Sequence, residues 1–334
     1  MSDTDTMERP AAGRSKVAGP ARAGTTRGNN GAPGWWRRLF NHKMLLLFVL
    51  PGTLVVLCFH YLPLLGNVIA FKDYQPFLGI LESDWVGFEN FEVIYSGDQR
   101  FLNALTNTLI LTTMQAVMVF PAPIALALML NSLFHERVKH IVQSVLYLPH
   151  FLSWVIVVAL FQQMLGGAGL LNNFLRANDF ATVSIIGNSD TFRALLVSQV
   201  IWKDTGWATI LFLAALSTIN SELYEAASVD GAGRWRQTWH VTLPGIRGVI
   251  ILLFILRLGD SLSVGFEQII LQQAAVGRQV SEVLDTYVYN YGIIDGNWGI
   301  AAAIGLAKGV VGVVLVLGAN KVAHIFGEAG VYQK

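Results

Sequence analysis

Charged side chains interrupt several long apolar runs in this sequence of 334 residues. Each charge at the centre of a bilayer costs roughly 2.5–3.5 kcal/mol on insertion scales, so such residues must face water or one another. The residues concerned are Lys203, Asp204, Arg257, Asp260, Glu267 and Lys308. Their chemistry would be that of a polar path across a membrane, of a proton relay, or of buried structural ion pairs.

Helical spacing places many of these residues on two polar stripes, because positions i, i+3, i+4 and i+7 share one face of a helix. The first stripe consists of Gln199, Trp202, Lys203 and Gly206. The second consists of Arg257, Asp260, Ser261 and Val264, with Glu267 and Gln268 about one turn further on. The stripes predict a path lined from two helices. The alternative is a structural ion pair, of Lys203 with Asp260 or of Arg257 with Asp260.

A polar, turned segment, residues 225–244, separates the two runs that contain these stripes. It begins with Glu225, Ala226 and Ala227. Alanine is a strong helix former, and its small side chain lets another surface approach closely. Gly231 can adopt the positive φ that ends a helix. The segment therefore predicts a short helix and a tight turn, either as a docking element or as an ordinary loop without a partner.

The ends of this helix and turn also have sequence signals. We predict Ser221 as the N-cap, with Ser228 as the less favoured start. Gly233 offers a second hinge. Pro244 suits the first turn of the next helix, where the missing N–H is not needed.

The elements that position these residues are predicted to be membrane-spanning helices. The chain has 53% hydrophobic and only 13% charged residues, with a mean hydropathy of +0.50, whereas globular proteins carry about 25% charged residues. A bilayer core of about 30 Å needs roughly 20 apolar residues per helix. An all-α membrane protein with six transmembrane helices is predicted. The runs are 44–66, 103–131, 141–164, 192–219, 246–271 and 299–323.

The distribution of basic residues predicts the orientation. With the N-terminus inside, cytoplasmic segments hold fifteen Lys and Arg and outer loops hold five. This excess predicts cytoplasmic termini, although eight of the fifteen lie in or beside the N-terminal tail. The tail has few large apolar residues and cannot bury enough surface to fold. We predict a disordered basic cytoplasmic tail at 1–42, a transmembrane domain at 43–327 and a cytoplasmic C-terminal end at 328–334.

The segment 225–244 resembles the EAA loop of ABC-importer permeases, the binding-protein-dependent transport inner membrane components. That pattern places a Gly four positions after the second Ala, then nine residues, a β-branched residue, a free position, Leu and Pro. In the family this loop is a cytoplasmic coupling helix between helices 4 and 5 of the type I permease fold, and it docks on an ATPase. The residues that match and would couple to the ATPase are Glu225, Ala226, Ala227, Asp230, Gly231, Leu243 and Pro244.

Other segments resemble the carbohydrate-uptake branch of this family, of the LplB type, which is related to the maltose and alginate-oligosaccharide permeases. These segments are 144–154, 202–207, 213–216, 264–268 and 285–289, and the resemblance covers about residues 42–327. One departure is Asp260, where the branch is expected to carry an uncharged amide. This departure indicates either a different cargo or a local ion pair.

The resemblance implies a permease subunit of an ATP-driven sugar importer in a bacterial cytoplasmic membrane, working by alternating access. Its partners would be a second permease, two ATPase subunits that bind ATP and Mg, an extracytoplasmic solute-binding protein and membrane lipid. The tryptophans would stack on sugar rings, and the polar groups would bind hydroxyls or a carboxylate. The predicted pathway residues are Ser153, Gln199, Trp202, Lys203, Trp207, Asp260, Ser261 and Glu267.

Other classes of protein have weaker support in the sequence. A proton-coupled secondary transporter could use Lys203, Asp260 and Glu267, but it would normally show two related halves, and none is evident. A membrane-embedded enzyme would need a nucleophile with a base, or a metal cluster, and the histidines are scattered. Cys58 is the only cysteine, which excludes an intrachain disulfide. No phosphate-binding Gly-rich loop occurs, and the net charge of +1 gives no basis for nucleic-acid binding.

Overall fold

The computed structural model describes residues 43–133, 135–325, 327–328 and 330–332. The predicted tail at 1–42 lies outside this range, and of the predicted C-terminal end only residues 328 and 330–332 are described. The chain divides into two units, Met1–Leu62 and Pro63–Lys334. The described part of the first unit is helical: α1, Lys43–Val56, is followed by the π-helical turn Leu57–Tyr61.

Nine α-helices of eight residues or more occur in the described part of the second unit. They are α2 (Gln99–Met114), α3 (Pro121–Asn131), α4 (Glu136–Tyr147), α5 (Trp154–Leu165), α6 (Leu170–Ala177), α7 (Ser189–Leu216), α8 (Ser221–Val229), α9 (Arg247–Gly259) and α10 (Trp298–Ile325). Two strands of two residues each, β1 (Lys72–Asp73) and β2 (Asp84–Trp85), pair in antiparallel register.

Shorter helical segments link these helices. The α-helical ones are Leu62–Leu64, Gly79–Glu82, Glu92–Tyr95, Arg234–Gln237, Leu243–Gly245, Phe266–Ile270, Gln273–Val276, Arg278–Ser281 and Leu284–Tyr287. The 3-10 segments are Leu65–Phe71, Glu89–Phe91 and Leu148–Phe151, and the further π-helical turns are Gln115–Val119, Thr238–Thr242 and Val288–Ile294.

Three of the π-helical turns come just before prolines, and the first of them, Leu57–Tyr61, precedes Pro63. Gln115–Val119 precedes Pro121 and Pro123, and Thr238–Thr242 precedes Pro244. A proline ring clashes with the carbonyl four residues earlier and donates no hydrogen bond. In each case that carbonyl lies within the wider π turn, which makes room for the ring. The helix can thus continue past the proline.

Four helical segments among the described residues are long and apolar enough to cross a membrane: Leu46–Phe71, Gln99–Asn131, Trp154–Ala177 and Trp298–Ile325. The segment Arg234–Gly245 and α9 form a fifth candidate, with a bend of 60° between them. The helix α7 has 28 residues, enough length to span, but its charged residues make it less apolar. These segments correspond in order to the six predicted spans.

The third predicted span, 141–164, is not one helix. The helix α4 ends at Tyr147, and the 3-10 turn Leu148–Phe151 follows. Pro149 cannot donate to a continuing helix, and Leu152 is extended. The hydroxyl of Ser153 then accepts from the amide of Ile156 at 3.4 Å and caps α5. The apolar run continues across this break, which is why hydropathy alone misplaced the start of the third span.

The fifth predicted span, 246–271, is also interrupted. The helix α9 ends at Gly259, and Asp260 is its C-cap. Gly265 has a φ of +57°, a conformation that glycine adopts without the steric cost of a side chain. The short helix Phe266–Ile270 begins there. The membrane helix therefore stops twelve residues before the end of the predicted apolar run, at Gly259 and not at residue 271.

The helix α7 lies at the centre of the packing. It contributes Phe192 to a core cluster with α2 and Phe212 to another with α3 and α9, while Tyr287 lies in a third cluster with α2 and α10. It also approaches α4 closely, since a Cβ on Gly206 would lie 2.0 Å from the carbonyl oxygen of Leu146. The charged residues of α7 are consequently held on a rigid, well-packed helix.

Candidate coupling loop and membrane pathway

The predicted docking helix is present as α8, with a different N-cap. Asn220 has an extended backbone, and its side-chain oxygen accepts from the amide of Glu222 at 3.0 Å. Ser221 is already the first helical residue, so the prediction that it is the N-cap was wrong. Asparagine is at least as good an N-cap as serine, and the helix begins one residue earlier than expected.

The C-terminal end of α8 forms a Schellman motif. Gly231 has a φ of +73°, as predicted. The amide of Ala232 donates to the carbonyl of Ala227 at 2.9 Å, and the amide of Gly231 donates to the carbonyl of Ser228 at 3.0 Å. These two bonds satisfy carbonyls that a helix end otherwise leaves free. Asp230 is the C-cap residue, so the turn has one defined geometry.

Side chains also tie α8 to the segment that follows it. The amide nitrogen of Gln237 donates to the hydroxyl of Ser228 at 2.9 Å and to the carbonyl of Ala232 at 3.1 Å. The hydroxyls of Tyr224 and Thr242 lie 3.1 Å apart. The helix α8 and the segment Arg234–Gly245 thus form one cross-braced unit, which contains both Leu243 and Pro244.

The outer surface of this unit is open. Glu225 and Ala226 are exposed, and Ala227 is half-buried. Two large apolar side chains are also exposed, Val229 at 89% and Trp235 at 75%. Exposed apolar residues beside polar ones are typical of an interaction surface. The loop can therefore receive a partner without unfolding any part of this chain.

Neither of the two structural ion pairs considered from the sequence is formed. Lys203 is buried, and its ammonium donates to the carbonyl oxygen of His150 at 2.6 Å. Arg257 donates to the side-chain oxygen of Gln115. Asp260 is exposed and its carboxylate has no partner among the described residues. The interpretation of Asp260 as half of a buried pair with either cation is therefore wrong.

A cluster that sequence reasoning missed surrounds His150. Its Nδ1 lies 2.9 Å from a carboxylate oxygen of Asp204. Its ring stacks on Trp207 with centroids 4.8 Å apart and planes 2° apart, and the edge of Phe151 meets the same indole. Pro149 next to His150 was the one available signal, because a proline in an apolar run can expose neighbouring side chains at a break.

Gln199, assigned to the pathway, lies in a buried amide cluster in this structure. Its side-chain oxygen accepts from Gln268 at 2.7 Å and from Gln272 at 3.0 Å. All three side chains are almost fully inaccessible to solvent. The cluster joins α7 to the segment after Gly265. A pathway role for Gln199 would require this cluster to open.

The remaining predicted pathway residues lie at separate places. Trp202 and Trp207 are 40% and 44% exposed, and Trp202 packs against the edge of Phe161. Ser153 caps α5, and Ser261 accepts a hydrogen bond from Thr112 through its carbonyl. Glu267 is exposed.

A cavity of about 820 Å³ between α9 and α10 is lined by both Asp260 and Lys308. Lys308 also pairs with Asp285. Asp260, a predicted pathway residue, therefore borders an open cavity of this chain.

The fold and the loop together define the class of protein: a polytopic helical membrane subunit with a stiff, exposed helix between two spans. The chain belongs to the family described as the binding-protein-dependent transport system inner membrane component, whose model matches residues 94–326. It has the all-α type I permease fold of that family and is a transport component, not an enzyme.

Two relatives come from Bacillus subtilis (strain 168). Protein LplB is 45% identical over 299 residues, which cover 89% of this chain and 94% of LplB. The polygalacturonan/rhamnogalacturonan transport system permease protein YteP is 46% identical over 296 residues, which cover 88% of this chain and 92% of YteP.

A solved structure is also similar, that of a bacterial alginate ABC transporter in complex with an alginate pentasaccharide-bound periplasmic protein. One of its chains is 36% identical to this chain, with a TM-score of 0.80. The match covers 89% of this chain and 99% of that one. Most of this chain therefore has a structural counterpart in that transporter.

Proposed function

We propose that this chain is the permease subunit of an ATP-driven importer of sugars or oligosaccharides in a bacterial cytoplasmic membrane. The named relatives and the alginate transporter support a carbohydrate cargo. The chain would form half of the translocation pathway, with a second permease forming the other half. An extracytoplasmic binding protein would deliver the cargo, and two ATPase subunits would bind ATP and Mg.

The observation that carries this proposal is the braced and exposed helix α8. A lever must be stiff, and α8 is fixed by the Schellman motif at Gly231 and by the bonds of Gln237. A lever must also be reachable, and Glu225 and Val229 are exposed. We assign α8 as the coupling helix that docks on an ATPase subunit. Closure of the ATPase pair would then move α8 and the helices attached to it.

Three of the predicted pathway residues have physical properties that suit a path for sugars. Asp260 is an exposed carboxylate within an apolar run and has no partner among the described residues. Such a residue must face water or a partner chain. Trp202 and Trp207 present exposed indole surfaces, on which the apolar face of a sugar ring could stack. We propose that these three residues line the path. We also propose that both chain termini are cytoplasmic.

A matched pair of substitutions tests the coupling role. Gly231→Val places a β-branched residue at a φ of +73°, which is a strained position. Gly233→Val places the same side chain at a φ of −68° with no atom within 4 Å. We expect a tagged wild-type chain in mild detergent to retain an ATPase and a second permease. Gly231→Val should lose at least nine-tenths of the ATPase, and Gly233→Val should keep it.

A second variant separates docking from folding. Glu225 is exposed and makes no hydrogen bond within the described residues, so Glu225→Ala should leave the thermal stability of the chain unchanged while weakening ATPase recovery. Mass spectrometry of the retained proteins is the measurement. The assignment would be overturned by a wild-type chain that retains no ATPase. It would also be overturned if neither Gly231→Val nor Glu225→Ala changed the amount of ATPase retained.

A further inference from the structure

Arg257 is a permanent cation within a membrane helix that has no carboxylate partner among the described residues. Its one hydrogen bond to a described residue is to the side-chain oxygen of Gln115. A guanidinium has five N–H donors and stays protonated, so most of its donors are free. It lies ten residues after Arg247 on α9, about 15 Å along the helix axis. That distance is roughly half the thickness of a 30 Å bilayer core.

Arg257 lines a cavity of about 220 Å³ between α3, α7 and α9. Most of the wall is apolar and includes Phe120 and Leu253. Two further polar side chains, Asp204 and Thr205, belong to the wall. The hydroxyl oxygen of Thr205 is buried and has no hydrogen-bond partner within the described part of the chain. A buried hydroxyl without a hydrogen-bond partner is unfavourable, so a ligand that bonds to Thr205 would be stabilised in this cavity.

Asp204 and Arg257 differ in what they can still bind. Asp204 uses one carboxylate oxygen on His150, which leaves the other oxygen to accept from a hydroxyl. Arg257 is exposed in the isolated chain. Its fork of N–H groups matches the two oxygens of a carboxylate, which a lysine cannot match. The cavity thus combines a carboxylate-binding group, hydroxyl-binding groups and apolar walls.

We propose that this cavity is a subsite for an acidic sugar, whose carboxylate binds Arg257 and whose hydroxyls bind Asp204 and Thr205. The inference rests on the proposed transport function and specifies its cargo as a sugar acid. It makes Arg257 a specificity-determining residue. Asp260, one turn further on, makes no ion pair with it.

The test uses the purified importer complex and one introduced thiol. Cys58 is the only cysteine, so Cys58→Ser with Ala208→Cys places a single thiol on the cavity wall. The probes are a trisaccharide of galacturonic acid and the neutral trisaccharide obtained by reducing its carboxyl groups. The rate of maleimide labelling reports occupancy. We expect the acidic probe to slow labelling at least fivefold and the neutral probe to slow it less than twofold.

Substitutions at Arg257 decide the role of the guanidinium. Arg257→Gln should raise the half-protecting concentration of the acidic probe at least tenfold, and Arg257→Lys should give an intermediate value. Equal protection by both probes, no protection by the acidic probe, or protection that is unchanged in Arg257→Gln would overturn the proposal. Loss of the second permease in Arg257→Gln would also overturn it, because Arg257 would then pair with that chain.

The two proposals fail in different ways. Retention of the ATPase, measured with the Gly231→Val and Gly233→Val variants, does not depend on any cargo. A complex that assembles normally but shows no protection at Ala208→Cys would refute the acidic-sugar subsite and leave the importer assignment in place. A chain that retains no ATPase would refute the importer assignment itself.

Discussion

Lys203 and Asp204 are adjacent on α7, and both hold His150. The ammonium of Lys203 donates to the backbone carbonyl, and the carboxylate of Asp204 contacts the ring. Together they fix the break between α4 and α5 against α7. The charges were visible in the sequence because they interrupt an apolar run. Their partner was not, because His150 lies more than fifty positions earlier and resembles an ordinary loop residue.

Asp260 offers a test of a single pathway residue. Its exposed carboxylate makes no bond within the described residues, so Asp260→Asn should change the free energy of unfolding by less than about 0.5 kcal/mol. Uptake of sugar by cells that carry the complete importer should fall at least tenfold if the carboxylate lines the path. The measurements are thermal unfolding in detergent and uptake of labelled oligosaccharide.

A buried carboxylate serves as the control for Asp260. Glu282 is 3% exposed, pairs with Arg100 at 3.1 Å and accepts from Asn290. Glu282→Gln should therefore cost about 1–3 kcal/mol of stability. Normal uptake by Asp260→Asn, with stability also normal, would remove Asp260 from the path.

At the scale of elements, the sequence predicted helices better than helix ends. The runs that became α7 and α10 were placed within a few residues. The breaks after α4 and α9 were not predicted, although Pro149 and Gly265 stand there. Proline is an ambiguous signal in this chain, because Pro51 lies inside α1 without ending it. Whether a proline breaks a helix depends on what satisfies the freed carbonyl, which is a tertiary property.

The close approach of α4 and α7 can be tested through Gly206. An added Cβ would lie 2.0 Å from the carbonyl oxygen of Leu146, so Gly206→Ala must push the two helices apart. Overpacking of this kind costs typically 1–3 kcal/mol. Gly305→Ala is the matched control, since no atom lies within 4 Å of that position. Alanine in a helix interior should there stabilise by up to about 1 kcal/mol.

Unfolding of the purified chain in detergent measures both glycine variants. Gly206→Ala should lower the midpoint and Gly305→Ala should hold or raise it. If both variants shift the midpoint equally, the contact between α4 and α7 does not limit stability. The comparison does not depend on any partner protein, because both glycines lie within this chain.

At the scale of the whole molecule, α8 is linked to two of the three helices that surround the cavity lined by Arg257. The helix α8 follows α7 in the chain, and α7 carries Asp204. Through Tyr224 and Thr242 it is also braced to the segment that leads into α9, which carries Arg257. A displacement of α8 would thus be transmitted to α7 and α9 together. This connection gives a physical route by which an ATPase docked on α8 could change the shape of the proposed cargo site.

This route requires α8 on the cytoplasmic side, which labelling from outside can test. In a Cys58→Ser background, Val229→Cys marks α8 and Phe77→Cys marks the loop between β1 and β2. Both side chains are exposed, at 89% and 83%, so neither substitution should disturb the core. The distribution of basic residues predicts cytoplasmic termini, and that topology would put α8 inside and Phe77 outside. A membrane-impermeant maleimide added to intact cells should label Phe77→Cys, and should label Val229→Cys only after permeabilisation. The opposite result would place α8 outside, where no ATPase could reach it.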